Sequence, residues 1–286
     1  MSIVVKNLRH VYGEGTPYES VALDDVSLEI ADGEFVSIIG HTGSGKSTLV
    51  QHLNGILKPK SGEVLVGGVN IAAKGVNLPE VRRKIGLLFQ YPEYQLFEET
   101  LYKDIAFGPT NLGLSADAVD SRVREAMALT GLDFDALSER SPFELSGGQK
   151  RKAAIAGVLA MGPEALVLDE PTAGLDPRSH RDILAMIRRI REERGITIIL
   201  ISHNMGDVAE VSDRVYVMDG GRIAFFGTPA QVFANKARLK QSGLGLPPTL
   251  ELAELLRAGG ADIEGDPLTL DEAVELIDAY LERRGA

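Results

Sequence analysis

Apolar positions near the start of the chain follow two rhythms. "SIVVKNL" from Ser2 and "SVALDDVSLEI" from Ser20 alternate, the period of half-buried strands. "EFVSII" over 34–39 is apolar almost throughout, as in a strand covered on both faces. Asp32 and Gly33 separate these runs as a turn. "SGEVLVGGVNI" predicts a further strand pair, and "VRRKIGLLFQ" a strand ending at Gln90. Leu49, Leu53 and Leu57 have helical spacing. "SADAVDSRVREAMALTGL" predicts an amphipathic helix opened by Ser115 and closed by Gly131, and "GGQKRKAAIAGVLAM" predicts another. "EALVLDEP", "GITIILISH" and "DRVYVMDGGRIAFFG" return to strand patterns, with the helix "PRSHRDILAMIRRIREERG" between the first two.

This order predicts an α/β fold with a mostly parallel sheet and helices on both faces. An antiparallel β subdomain stands at the N-terminus, and a helical insertion covers about 91–161. The main domain spans 1–227. A helical extension, 228–286, carries "PPTLELAELLRAGG" and "TLDEAVELIDAYLERRG", with Pro248 and Gly259 as helix punctuation. Leu250, Leu252, Leu255 and Leu256 crowd one face there, suited to its own core or to a dimer contact.

Composition narrows the function. A net charge of -11 makes the surface a poor binder of phosphate backbones, which counts against a nucleic-acid partner. The absence of cysteine excludes thiol catalysis, disulfides and cysteine-based zinc sites. The longest apolar runs, such as "ITIILIS", are strand-sized, and the N-terminus has no signal-peptide core. A soluble protein is expected, one that can still dock on a membrane protein.

"GHTGSGKS", from Gly40 to Ser47, fits G-x-x-x-x-G-K-[ST] between a predicted strand and a predicted helix. In such a loop Gly40, Gly43 and Gly45 let the backbone curl around phosphates, and Lys46 meets their charge. Ser47 offers a hydroxyl to Mg²⁺. The alternative is an ordinary glycine-rich turn. Asp169 ends a buried strand, where an acid can hold Mg²⁺ through water, and Glu170 can polarise an attacking water. Alone, that pair reads as a solvated turn; beside the lysine loop it reads as chemistry. Ser146, Gly147 and Gly148 read as a second anion cradle ahead of a helix, a simple helix cap being the alternative. One lysine loop does not need two cradles, so a dimer closing this one on a partner's nucleotide is expected. His203 closes a strand, where it could meet a γ-phosphate; a structural histidine is the alternative, and the strand-end position favours the site.

Together these motifs resemble the ATP-binding cassette (ABC) ATPases over about the first 230 residues. Residues 40 to 48, which include His41, Thr42, Ser44 and Thr48, resemble the Walker A loop. Gln90 resembles the Q-loop glutamine, "LSGGQ" ending at Gln149 the signature, and "LVLDEP" Walker B. "AGLD" with Asp176 resembles the D-loop, and His203 the switch histidine. The resemblance implies ATP and Mg²⁺, with Glu170 as catalytic base, His203 as γ-phosphate sensor and Gln90 as the link between Mg²⁺ and a transport partner. An aromatic that stacks on adenine is implied too, Tyr12 by position, with Tyr18 the alternative.

"FQYPEYQLFEETLYKDIAFGP" and the tail "LPPTLELAELL" are similar to the ATPases of energy-coupling factor (ECF) importers, and most to the second of their two paired ATPases. That likeness implies a peripheral subunit at the cytoplasmic face of the cell membrane. It implies a transmembrane coupling subunit, a substrate-binding membrane subunit for a vitamin or transition-metal ion, and a second ATPase, a paralogue in preference to a second copy. Tyr91, Pro92, Tyr94, Leu96 and Phe97 would line a groove for a coupling helix, with Glu93, Glu98 and Glu99 favouring a basic one; a buried insertion core is the other reading. The rival functions are an ABC importer of another cargo and a soluble ABC ATPase acting on nucleic acid or ribosomes.

Overall fold

The structure, a computed structural model, describes residues 1–285. Two sheets are layered. β1 (Ile3–Tyr12), β2 (Ser20–Ile30), β4 (Ser61–Val66) and β5 (Val69–Asn70) form an antiparallel sheet in the order β2-β1-β4-β5. β3 (Phe35–Ile39), β6 (Ile85–Leu88), β7 (Ala165–Asp169), β8 (Thr197–Ile201), β9 (Arg214–Asp219) and β10 (Arg222–Gly227) form the second, in the order β10-β9-β3-β8-β7-β6. Only β10 runs antiparallel there. β3 and β8 are buried at every residue, as their unbroken apolar runs require.

Helices cover the second sheet. α1 (Lys46–Leu53) follows β3, and α2 (Leu78–Lys84) leads into β6. α3 (Leu101–Asn111), α4 (Ala116–Thr130), α5 (Phe134–Leu137) and α6 (Gly147–Ala160) make the insertion. α7 (Pro177–Arg194) joins β7 to β8, and α8 (Met205–Val211) joins β8 to β9. The tail holds α9 (Pro229–Ala234), α10 (Lys236–Gln241), α11 (Pro248–Ala258) and α12 (Leu270–Gly285). Helix ends follow their capping chemistry. Ser115 accepts from the Ala118 N–H, and Gly131 closes α4 at φ 67°. Asp176 caps α7 ahead of Pro177.

Three expectations need correction. "VRRK" belongs to α2 and not to the strand, because Pro79 at its first turn and a basic last turn favour a helix. Leu57 lies beyond α1, which stops at Leu53 before Asn54 and Gly55. The tail leucines do not share one fate. Leu250 is fully buried with Phe233, Leu239, Met205 and Val217, whereas Leu252 and Leu255 face solvent.

Candidate active site

Strand β3 delivers the chain to the phosphate-type loop, and the glycines there answer two different needs. A Cβ on Gly40 would stand 2.4 Å from the Met218 carbonyl oxygen, and one on Gly45 2.5 Å from that of Ala22. Gly43 has open space but φ +84°, so it is needed for its backbone conformation. The loop closes on the Lys46 ammonium, which donates to the carbonyls of Gly40 (2.7 Å) and His41 (2.9 Å) and to Ser44 Oγ (3.3 Å). Burial lowers the Lys46 pKa from its ordinary value, while Glu170 and Asp169 pull it back up.

An open cleft of about 840 Å³ surrounds this loop, within the range of small-molecule sites. It gathers Tyr12, His41, Thr42, Ser47, Thr48 and Gln90 with Asp169, Glu170 and His203. Ser47 donates to Asp169 Oδ2 at 3.4 Å. Burial raises the Asp169 carboxyl, and the neighbouring Glu170 charge adds to this. A hydroxyl, a carboxylate and the amide of Gln90 are hard oxygen donors. They fit Mg²⁺, which binds through one or two protein groups and takes its remaining ligands from phosphates and water.

Glu170 sits at φ 51°, a conformation that strains a non-glycine residue by roughly 1–3 kcal/mol. Its N–H donates to the Ile201 carbonyl at 3.0 Å, which ties the end of β7 to β8. The His203 Nδ1 lies 2.7 Å from Glu170 Oε1, with the imidazole open to solvent and the carboxylate nearly buried. Tyr12 shares a 3.2 Å hydrogen bond with Thr48 Oγ1 at the cleft edge. Tyr18, at 88% exposure, lies on the β1–β2 turn away from the cleft.

Ser146, Gly147, Gly148, Gln149 and Asp176 do not line the cleft. Ser146 and Gln149 cap α6 reciprocally. A Cβ on Gly148 would come 3.0 Å from Ser179 Oγ, so this turn lies against the start of α7, where Asp176 is the cap.

A family profile described as ABC transporter matches residues 23–173. The chain is 56% identical to the energy-coupling factor transporter ATP-binding protein EcfA2 of Clostridioides difficile over 100% of this chain and 99% of that one. It is 53% identical to EcfA2 of Clostridium perfringens over 97% of each. The chain belongs to the ABC transporter family, among the ECF ATP-binding proteins. A solved structure of CbiO1 from Clostridium perfringens, part of the ABC transporter complex CbiONQ, is 39% identical with a TM-score of 0.75, over 89% of this chain and 98% of that one. A dimeric ATP-binding cassette solved in a post-hydrolysis state with ADP and Pi is 29% identical with a TM-score of 0.70, over 79% and 98%.

Around the site of this ECF ATPase, the structure adds residues that carry no motif. Gly243, Leu244 and Gly245 of the tail line the nucleotide cleft, 40 residues after His203 along the chain at Gly243. Buried Asp207 on α8 accepts from His180 Nε2 of α7 (2.8 Å) and from the Thr172 hydroxyl (3.2 Å). It thereby joins the segments just after Asp176, Glu170 and His203. Burial raises its carboxyl, and the bonds from His180 and Thr172 oppose that. A buried acid four residues after His203 gave no sequence signal of its own.

The aromatic run after Gln90 divides. Tyr91, Tyr94 and Phe97 are exposed, and Phe97 meets exposed Phe107 of α3 edge-to-face at 4.9 Å. Pro92 and Leu96 are buried, so they support the surface from beneath and are not part of it. Glu93 is no rim acid either: its carboxylate pairs with buried Arg151 at 3.0 Å. Glu98 and Glu99 remain at the surface, and Asp104 accepts from the N–H groups of Phe97 and Glu98, which fixes the floor.

Proposed function

We propose that this chain is the ATP-hydrolysing motor of an ECF-type importer, working at a site completed by a second cassette. One observation carries the reading. Lys46, Ser47, Gln90, Asp169, Glu170 and His203 converge on a single cleft, while the signature residues and Asp176 of the same chain stay outside it. Two such chains, or this chain and a paralogue, supply each other's missing half; the resemblance to paired ATPases favours the paralogue.

In this mechanism Lys46 exchanges its carbonyl contacts for phosphate oxygens, and α1 presents its N-terminus to the same charge. Tyr12 holds the adenine side of the cleft. Ser47, Asp169 and Gln90 would hold Mg²⁺, which when bound would supply neutralisation of phosphate charge. Glu170 accepts a hydrogen bond from the attacking water and orients it in line with the γ-phosphorus. His203, already against Glu170, keeps that carboxylate's direction and meets the γ-phosphate. Ser146 and the glycines of the opposing cassette close over the nucleotide. Hydrolysis removes the contacts that hold the pair shut.

The exposed aromatics and the adjoining groove, lined by Glu98, Tyr102, Lys103, Phe107 and Leu114, suit a coupling helix of a membrane subunit. The motor then stands at the cytoplasmic face as a peripheral subunit. Among the described residues no helix is long and apolar enough to cross a membrane. The cargo, a vitamin or transition-metal ion, is carried by a separate membrane protein. Purification of the tagged chain from its native membrane tests this: a second ABC ATPase and integral membrane subunits should accompany it, and ATPase activity should track their presence. Recovery with ribosomes or nucleic acid and without membrane subunits would overturn it.

A further inference from the structure

Arg151 is 1% exposed, and it lies in α6 among Ala153, Ala154 and Ile155, where an apolar side chain would fill the space without the cost of desolvating a charge. Its guanidinium spends its donors on one place. Nη1 donates to the carbonyls of Pro171 (2.7 Å) and Glu170 (3.4 Å), and Nη2 to that of Ala173 (3.1 Å) and to Glu93 Oε1 (3.2 Å). Nε is buried with no partner. The segment so gripped starts at Glu170, whose φ of 51° persists only where its surroundings over-determine it. Glu93 belongs to the turn Pro92–Gln95, which also presents Tyr94 to solvent. The neighbouring Tyr91, itself at φ 55°, lies 3.9 Å from where a Cβ on Gly174 would be.

We infer that Arg151 is a positioning residue for hydrolysis: it holds the Glu170–Ala173 backbone in its strained conformation, and Glu93 makes that hold depend on the aromatic turn after Gln90. The second half rests on the reading of that turn as a docking surface; the first half does not. Movement of the turn under a docked helix would shift Glu93 first. Glu93 would shift Arg151, and Arg151 the three carbonyls after β7. The link is short and rigid, because a planar guanidinium cannot leave one carbonyl without disturbing the others. Contiguity alone does not demonstrate coupling, so the test measures it.

The full-length chain is compared with Arg151→Lys, Glu93→Gln and the double variant, each assembled with its partner ATPase and native membrane subunits. Lysine keeps the charge but cannot reach three carbonyls and a carboxylate together. Glutamine keeps the shape of Glu93 but leaves the buried cation uncompensated. Each single variant should lower kcat for ATP about tenfold with KM changed less than about twofold, the pattern of a lost transition-state arrangement. The double variant should be no slower than the worse single one, because both break one linkage. Rises in KM with kcat unchanged, or additive losses, would overturn the inference. If Arg151→Lys misfolds, Glu93→Gln decides alone: a kcat within twofold of the parent refutes the linkage. Co-purification of the membrane subunit with Tyr94→Ala and Phe97→Ala is read separately. Normal recovery there refutes the docking surface and leaves the kinetics to decide the role of Arg151.

Discussion

Glu170 combines a strained backbone, a nearly buried carboxylate and a histidine at 2.7 Å. None of the three follows from the letters "DEP". Sequence gave the residue types and their order, because phosphate chemistry demands a lysine loop and an acid at a strand end. It could not give the φ of Glu170 or the partners of Asp207, which depend on how three separate segments meet. Another residue-scale feature was equally silent. His52 is fully buried on α1, with Nε2 3.1 Å from His10 Nδ1. Burial and the neighbouring His10 push its pKa down from 6.5 to about 4. Between those values the unfolded chain binds the proton and the folded one does not, so stability falls as pH drops through this window. The loss should reach about 2 kcal/mol near pH ~5. Thermal melts between neutral pH and about pH 5 check it: His52→Gln should melt less steeply with acidification than the parent. Equal slopes would assign the acid sensitivity elsewhere.

At the scale of elements, period and punctuation were enough for β3, β7, β8, α4 and α7, whose apolar runs and caps agree with their burial. The failures are informative. The pattern assigns "VRRK" of α2 to the following strand, because Val81, the buried residue of that helix, leaves no helical stripe to see. The run after Gln90 admits a docking surface or a buried core as a whole, because composition does not tell a floor from its supports. With Pro92 and Leu96 beneath and Tyr94 and Phe97 above, the surface can be tested without touching the core. Tyr94→Ala with Phe97→Ala should leave the melting temperature of the isolated chain nearly unchanged and weaken capture of the membrane subunit about tenfold or more. A melt that falls in step with capture would make these side chains core. The tail allows a similar separation. Cutting it away would remove Val232, Phe233 and Leu239 and expose Met205, Val208, Val215 and Val217 beneath them, so truncation confounds stability with assembly. Leu255, 71% exposed on α11, is the better probe. We expect Leu255→Glu to weaken association with the partner ATPase in the absence of ATP while the monomer melts normally; unchanged association would show that this face is not a dimer contact.

Across the whole molecule, the fold class was legible early because strand and helix patterns alternate at the spacing of a parallel sheet. The motifs of the site were legible as well: two anion cradles and one lysine loop, the pattern behind the proposed two-cassette site. Its geometry was not. The cleft spans both sheets and the tail, with Tyr12 from β1, the loop after β3, Glu170 after β7, His203 after β8 and Gly243–Gly245 beyond α10. Long-range assembly of this kind has no local signature. On the proposed function the chain alone presents half of a working site, and activity is expected of the assembled pair. The most direct measurement is ATP turnover by the assembled complex carrying Glu170→Gln, beside its ATP affinity. The expected result is ATP binding within about twofold of the parent, hydrolysis lower by roughly 100-fold or more, and a closed pair that persists with bound ATP. Turnover close to that of the parent would contradict the assignment of Glu170 as the residue that orients the attacking water.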